Sequence, residues 1–110
     1  MSNTRLPIES TAEALLCLLK ARGVEYFFAN AGTDFVPIVE TYAKQLAQGK
    51  NDFPIPKVVP HECVAVSMAH GHAMISGRPQ AVMVHTTVGT ANGIGAIMNA
   101  ARSNIPVFFM

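Results

Sequence analysis

The feature that most constrains this chain is an alternation. Short β-rich apolar runs occupy residues 24–29 (VEYFFA), 57–60 (KVVP), 80–85 (QAVMVH) and 105–110 (IPVFFM). Residues 9–22, 34–48, 62–75 and 87–102 precede or separate them and carry apolar side chains at helical spacing. Apolar strands alternating with helices predict an α/β fold, a parallel sheet covered on both faces. Right-handed crossovers then gather the strand-to-helix loops along one edge, where open α/β sheets bind ligands. The loops expected there are residues 30–34, 60–62 and 85–92.

Local signals fill in the helices. Ser10 is the expected cap of the first, with Glu13 as its capping-box partner, Ala14, Leu15, Leu18 and Leu19 as the inward stripe, and Gly23 as the stop. The second is expected to face inward through Phe35, Ile38, Val39, Tyr42 and Leu46, with Pro37 in its first turn. Residues 49–56 read as a polar, proline-containing connection. Val64, Ala65, Met68 and Ala69 are the expected inward face of the third helix, which Gly77 ends. The fourth opens on a glycine-rich turn and continues in small residues.

The 110 residues suffice for one domain. Half are apolar and only 14% are charged, against about a quarter in ordinary domains, so part of the surface is expected to face protein. The final run is an apolar strand with no helix to cover it, which predicts that the chain is a piece of a longer protein. A net charge of +1 with no basic run argues against a nucleic-acid partner. No run of 18 apolar residues exists, so no membrane span is expected. Cys17 and Cys63 lie apart in helical patterns, and residues 1–8 are polar. Both favour a cytoplasmic setting without disulfides.

Several residues at the predicted edge could carry chemistry. Glu62 opens a helix, where an acid also favours the helix dipole by about 0.3–1 kcal/mol. Gly89, Gly93 and Gly95 allow close backbone approach, either to a ligand or to a neighbouring helix. No Gly-Lys-Ser/Thr follows, and the G-x-G-x-x-G spacing is missing, so neither a P-loop nor a dinucleotide fingerprint is present. His85 ends an apolar strand. Thr33 suits a helix cap and Asp34 a first turn. His61, His70 and His72 lie nine and two apart, not the three or four that bring helical ligands onto one face, so no metal site is expected.

Taken together, the loops resemble the N-terminal pyrimidine-binding domain of the thiamine diphosphate enzymes, among them acetolactate synthase, benzoylformate decarboxylase, pyruvate decarboxylase and benzaldehyde lyase. The resemblance covers residues 11–110. Its most specific segment, His61-Glu62-Cys63-Val64-Ala65-Val66-Ser67-Met68-Ala69-His70-Gly71-His72-Ala73, matches the pattern H-E-x-x-A-x-x-x-A-x-G-x-A. Ser76-Gly77-Arg78-Pro79 follows, and residues 85–93 match the family's Gly-Thr/Ala-x-Asn turn.

The resemblance implies a flavodoxin-like sheet, thiamine diphosphate as cofactor and a 2-oxo acid as substrate. Glu62 stands where the family's glutamate meets the aminopyrimidine ring nitrogen. Ala31, Gly32, Gly89 and Asn92 fall in the turns that contact the cofactor. His85 matches an active-site histidine of benzoylformate decarboxylase-like members, and Thr33 matches a serine that meets the substrate carboxylate. The His85 match tilts the reading towards a decarboxylase or carboligase. Magnesium is implied too, with its ligands in a later Gly-Asp-Gly…Asn domain that these residues do not contain, so this chain alone is expected to be inactive. A homodimer or homotetramer is implied because the pyrimidine domain of one subunit faces the diphosphate domain of another. This chain departs from the pattern at Ala31, where proline is common, and at His70 and His72, where acidic and tyrosine residues are usual. The rival readings are a non-catalytic phosphate- or nucleotide-binding module built on the turn at residues 89–95, and a dimerisation module.

Overall fold

The computed structural model describes residues 8–110; the expectation for the polar lead therefore lies almost wholly outside the described residues. Helix α1 (Thr11–Ala21) leads into strand β1 (Tyr26–Asn30). A 3-10 turn (Thr33–Phe35) then opens α2 (Val36–Ala47), and β2 (Ile55–Val58), α3 (Glu62–Ser76), β3 (Gln80–Val84), α4 (Thr86–Arg102) and β4 (Val107–Phe109) follow. All strand pairs are parallel, in the order β2-β1-β3-β4. This is the expected doubly covered α/β sheet, with the order found in flavodoxin-like folds.

Strand alternation divides the core in two. Phe27, Ala29 and Ala81 face one way, against Ala12, Leu16 and Leu19 of α1 and Ile38 of α2. Phe28, Val82 and Val84 face the other, against Ala65, Val66 and Ala69 of α3 and Ala96 of α4. The small residues of α3 and α4 let these helices pack closely on the sheet. Gly93 continues that contact, since a Cβ there would lie 3.4 Å from the Phe109 ring.

Several local expectations are corrected. The stripe of α1 is Ala12, Leu16 and Leu19, and Leu18 faces outward. Ile38 and the preceding Phe35 anchor α2, while Val39 and Leu46 are exposed. In α3, Val66 is buried where Val64 and Met68 were expected. These helices carry apolar residues on more than one face, so spacing alone does not select the inward one. Ser10 does cap α1, accepting from the Glu13 amide at 3.1 Å, but the Glu13 carboxylate accepts from Glu9 N at 2.8 Å, one residue earlier than a capping box requires. Thr33 caps nothing: α2 grows out of the 3-10 turn, which has no side-chain cap. Strand β2 begins at Ile55, inside the expected connection, and is exposed along its length. Its Pro56 stands opposite Phe27 in the register with its nitrogen turned away from β1, and an edge strand tolerates the missing amide. Among the described residues no helix is long and apolar enough to cross a membrane, and Cys17 and Cys63 are free thiols.

Candidate functional site

Chain direction and strand parity build the site. Asn30 is the last residue of β1 and shares parity with Tyr26 and Phe28, so its side chain stands on the α3–α4 side of the sheet. Glu62 is the first residue of α3. His61 caps that helix, its Nδ1 accepting from the Cys63 amide at 3.2 Å. Asn92 lies in the second turn of α4.

These residues converge. Asn30 Nδ2 donates to Glu62 Oε1 at 2.9 Å, and Asn92 Nδ2 donates to Glu62 Oε2 at 3.1 Å. Gly89 makes room for the pair: a Cβ there would lie 3.1 Å from Glu62 Oε1 and 3.1 Å from Val84 Cβ. The glycine reading that involves close packing is thus correct at Gly89, and the packed object is the carboxylate itself.

Glu62 is 5% exposed, a buried charged residue of this chain. Its own backbone amide, then the Asn92 amide, hold its carboxyl below the ordinary value; Asn30 and the nearby His61 act in the same sense, and desolvation opposes them. An ionised carboxylate offers about four lone-pair sites, so acceptor capacity remains after these donors are satisfied.

His85 falls on the other parity of β3 and leans towards α2. Its Nδ1 lies 2.7 Å from Asp34 Oδ1, and both side chains are near 40% exposed (42% and 40%). Gly32 forms the floor under the ring: a Cβ there would lie 2.2 Å from His85 Cγ. Immediately after His85, Thr86 adopts φ of 50°, a left-handed conformation that a β-branched residue rarely occupies.

The edge therefore holds two polar groups, one over each face of the sheet. Ala31 and Thr33 are exposed in the loop between them, and neither side chain bonds to either group. The remaining histidines are scattered. His61 caps α3, His72 lies 3.3 Å from Glu25 at the opposite end of the sheet, and His70 has a buried Nε2 without a hydrogen-bond partner. No three metal-ligating side chains gather among the described residues.

Two hollows lie away from Glu62. A groove of about 690 Å³ runs between α1 and α2, past Cys17 and Lys44. A shallow one of about 750 Å³ lies on the outer face of α4, at Thr86, Thr90 and Ile94.

Two site residues escaped the sequence reading. Asn30 was read as part of a turn, and Asp34 as a first-turn acid. Parity with Phe28 is a signal that could have found Asn30. Nothing local marks Asp34, whose partner is 51 residues away.

Comparison with known proteins points to one family. Residues 9–110 match the family model described as the thiamine pyrophosphate enzyme, N-terminal TPP binding domain. A benzoylformate decarboxylase of Pseudomonas aeruginosa is 34% identical over 90 residues, covering 82% of this chain and 16% of that protein. A Mycobacterium tuberculosis protein named as an acetolactate synthase large subunit is 33% identical, covering 87% of this chain and 18% of its own length. The solved thiamine diphosphate-dependent 4-hydroxybenzoylformate decarboxylase of Rhodococcus jostii superposes with a TM-score of 0.77 at 28% identity, over 92% of this chain and 18% of that one. The chain thus spans under a fifth of the length of these relatives. The match over residues 9–110 places the chain in the thiamine pyrophosphate enzyme family, as its N-terminal TPP-binding domain.

Proposed function

We propose that this chain serves a thiamine diphosphate-dependent enzyme acting on 2-oxo acids, by decarboxylation or carboligation, and that Glu62 is the group that meets the cofactor's pyrimidine. The observation that carries the reading is the Asn30–Glu62–Asn92 cluster. A carboxylate buried to 5% exposure is held there by neutral amides rather than by a cation. Among the described residues no salt bridge cancels its charge, and it can stabilise a proton on a ring nitrogen placed against its free lone pair. These residues fit the pyrimidine: a fixed acceptor, with Gly89 opening the space beside it.

When bound, thiamine diphosphate would supply the carbon nucleophile and the electron sink for loss of carbon dioxide. Glu62 would hold the ring-nitrogen proton. Ala31, Gly89 and Asn92 would line the cofactor's side of the edge, His85 and Thr33 the substrate's side, and Gly32, under the His85 ring, would meet the cofactor through its backbone. The diphosphate and magnesium would be held by residues outside this chain, in a second subunit of a homodimer or homotetramer. The exposed apolar side chains Val64 and Met68 of α3 and Ile94 and Met98 of α4 support that arrangement. The relatives' names support the substrate class, and a cytoplasmic setting is consistent with the free thiols.

The test is Glu62→Gln in the full-length enzyme. The amide keeps the size of the side chain but cannot take up the proton. Exchange of the thiazolium carbon's hydrogen with deuterated water, followed by NMR on bound cofactor, should slow by about 10²–10⁴. Wild-type exchange in the Gln variant would overturn the assignment without any knowledge of the substrate.

A further inference from the structure

We propose that Asp34 is a positioning residue that holds neutral His85 as its Nδ1–H tautomer, leaving Nε2 as the proton-accepting nitrogen at the carboxyl edge of the sheet. This deepens the reading given above and rests on it, because it assigns the direction in which the substrate-facing histidine works.

The geometry carries the argument. His85 Nδ1 and Asp34 Oδ1 are 2.7 Å apart. A carboxylate oxygen can only accept, so Nδ1 must be the donor. Neutral imidazole has a single N–H, so its other nitrogen is then a bare acceptor. The pair is built, not incidental. Asp34 sits in the 3-10 turn, which Phe35 fixes from both sides: its ring is 3% exposed, and its amide donates to Gly32 O at 3.1 Å. Gly32 in turn supplies the flat floor on which the imidazole lies, where any side chain would collide with the ring. The turn before α2 thus grips His85 by one nitrogen and one face. Strand parity sends His85 to this side of the sheet and Asn30 to the other, so the histidine and Glu62 do not share a partner.

The consequence is a division of labour. Glu62 holds a proton on the cofactor side, while His85 is prepared to accept one through Nε2 on the substrate side. The imidazolium formed in that step faces the Asp34 carboxylate, and the same nitrogen returns the proton later in turnover. Asp34 itself touches neither substrate nor cofactor.

The experiment is a long-range proton–nitrogen spectrum of the enzyme labelled with ¹⁵N-histidine, recorded where His85 is neutral, in the wild type and two variants. In the wild type Nδ1 should carry the proton. Asp34→Ala should move it largely to Nε2. Asp34→Asn should leave it on Nδ1, since an amide oxygen still accepts. Turnover of a 2-oxo acid should fall about 10²-fold in Asp34→Ala, with KM changing less than kcat, and Asp34→Asn should recover part of the loss. A wild-type spectrum with the proton on Nε2 would overturn the proposal by itself, even if Asp34→Ala failed to fold. An unchanged tautomer in a folded Asp34→Ala would do the same. A tautomer shift with unchanged turnover would support the dyad and remove His85 from the substrate's side of the edge.

Discussion

At the amino end of the sheet Glu25 accepts from the Arg78 guanidinium and lies 3.3 Å from His72 Nε2, whereas at the carboxyl end Glu62 accepts from two asparagine amides. Both ends hold a glutamate, and histidines stand near both. The amino end is closed upon itself. Beside the ion pair, Gln80 is fully buried, and its side chain accepts from Tyr26 N at 2.9 Å and donates to Arg78 O at 3.2 Å. Tyr26 stacks edge-on against His72, and Lys57 lies over its ring. The carboxyl end differs: among the described residues no salt bridge reaches Glu62, and the His85 side chain is 42% exposed. One end matches its charge with a cation of the same chain, and the other holds its charge with neutral dipoles.

Exchanging the two carboxylates for amides is the most severe way to break this comparison. Glu62→Gln should lower turnover of the full-length enzyme by about 10²–10⁴, with circular dichroism unchanged. Glu25→Gln should leave turnover within about twofold of wild type, because it removes only a partly exposed ion pair. Comparable losses in both would mean that the ends do not differ in kind.

His85→Ala should come next, with kcat reduced about 10²-fold and cofactor affinity, measured by calorimetry, nearly unchanged. An equal loss of affinity would move His85 to the cofactor's side of the edge.

Gln80→Leu sharpens the other half of the comparison. It leaves the Tyr26 amide without its buried partner, so denaturant unfolding should show about 1–3 kcal/mol of lost stability and little change in kcat per folded enzyme.

The smallest effect concerns pH. The Glu62 carboxyl is held below its ordinary value of 4.5. Its contribution to stability is therefore fully present above about pH 4.5 and is lost as pH falls through the folded-state value. In thermal melts the wild type should lose its advantage over Glu62→Gln across that acid range. A gap that widened on acidification would contradict the sign.

Much of this architecture was legible in the chain. The alternation of apolar runs with helical spacing was enough to place the sheet, its two layers and the edge that carries Glu62, His85 and Asn92. What failed had physical causes. Pro54 and Pro56 disguised the start of β2, because only the strand's position at an edge makes a proline acceptable there. Leu18, Val39 and Met68 were expected inside, but burial is decided by which side of a helix meets the sheet, and these helices have more than one apolar side. Asn30 and Asp34 were read as a turn residue and a first-turn acid because their partners, Glu62 and His85, lie 32 and 51 residues away. A local reading sees the chemistry of one residue; it does not see which second residue the crossover delivers beside it.

Strand β2 carries a further consequence. Ile55 N donates inward to Glu25 O and Val59 N to Ala29 O, both at 2.8 Å. By alternation the backbone at residues 56 and 58 faces away from β1, and at residue 56 the outward-facing nitrogen belongs to proline and has no hydrogen to offer. An incoming strand from another molecule would find that rung of the ladder missing, with the Lys57 charge beside it. The proline that hid the strand in the sequence thus removes one donor from the edge that a pairing strand would use.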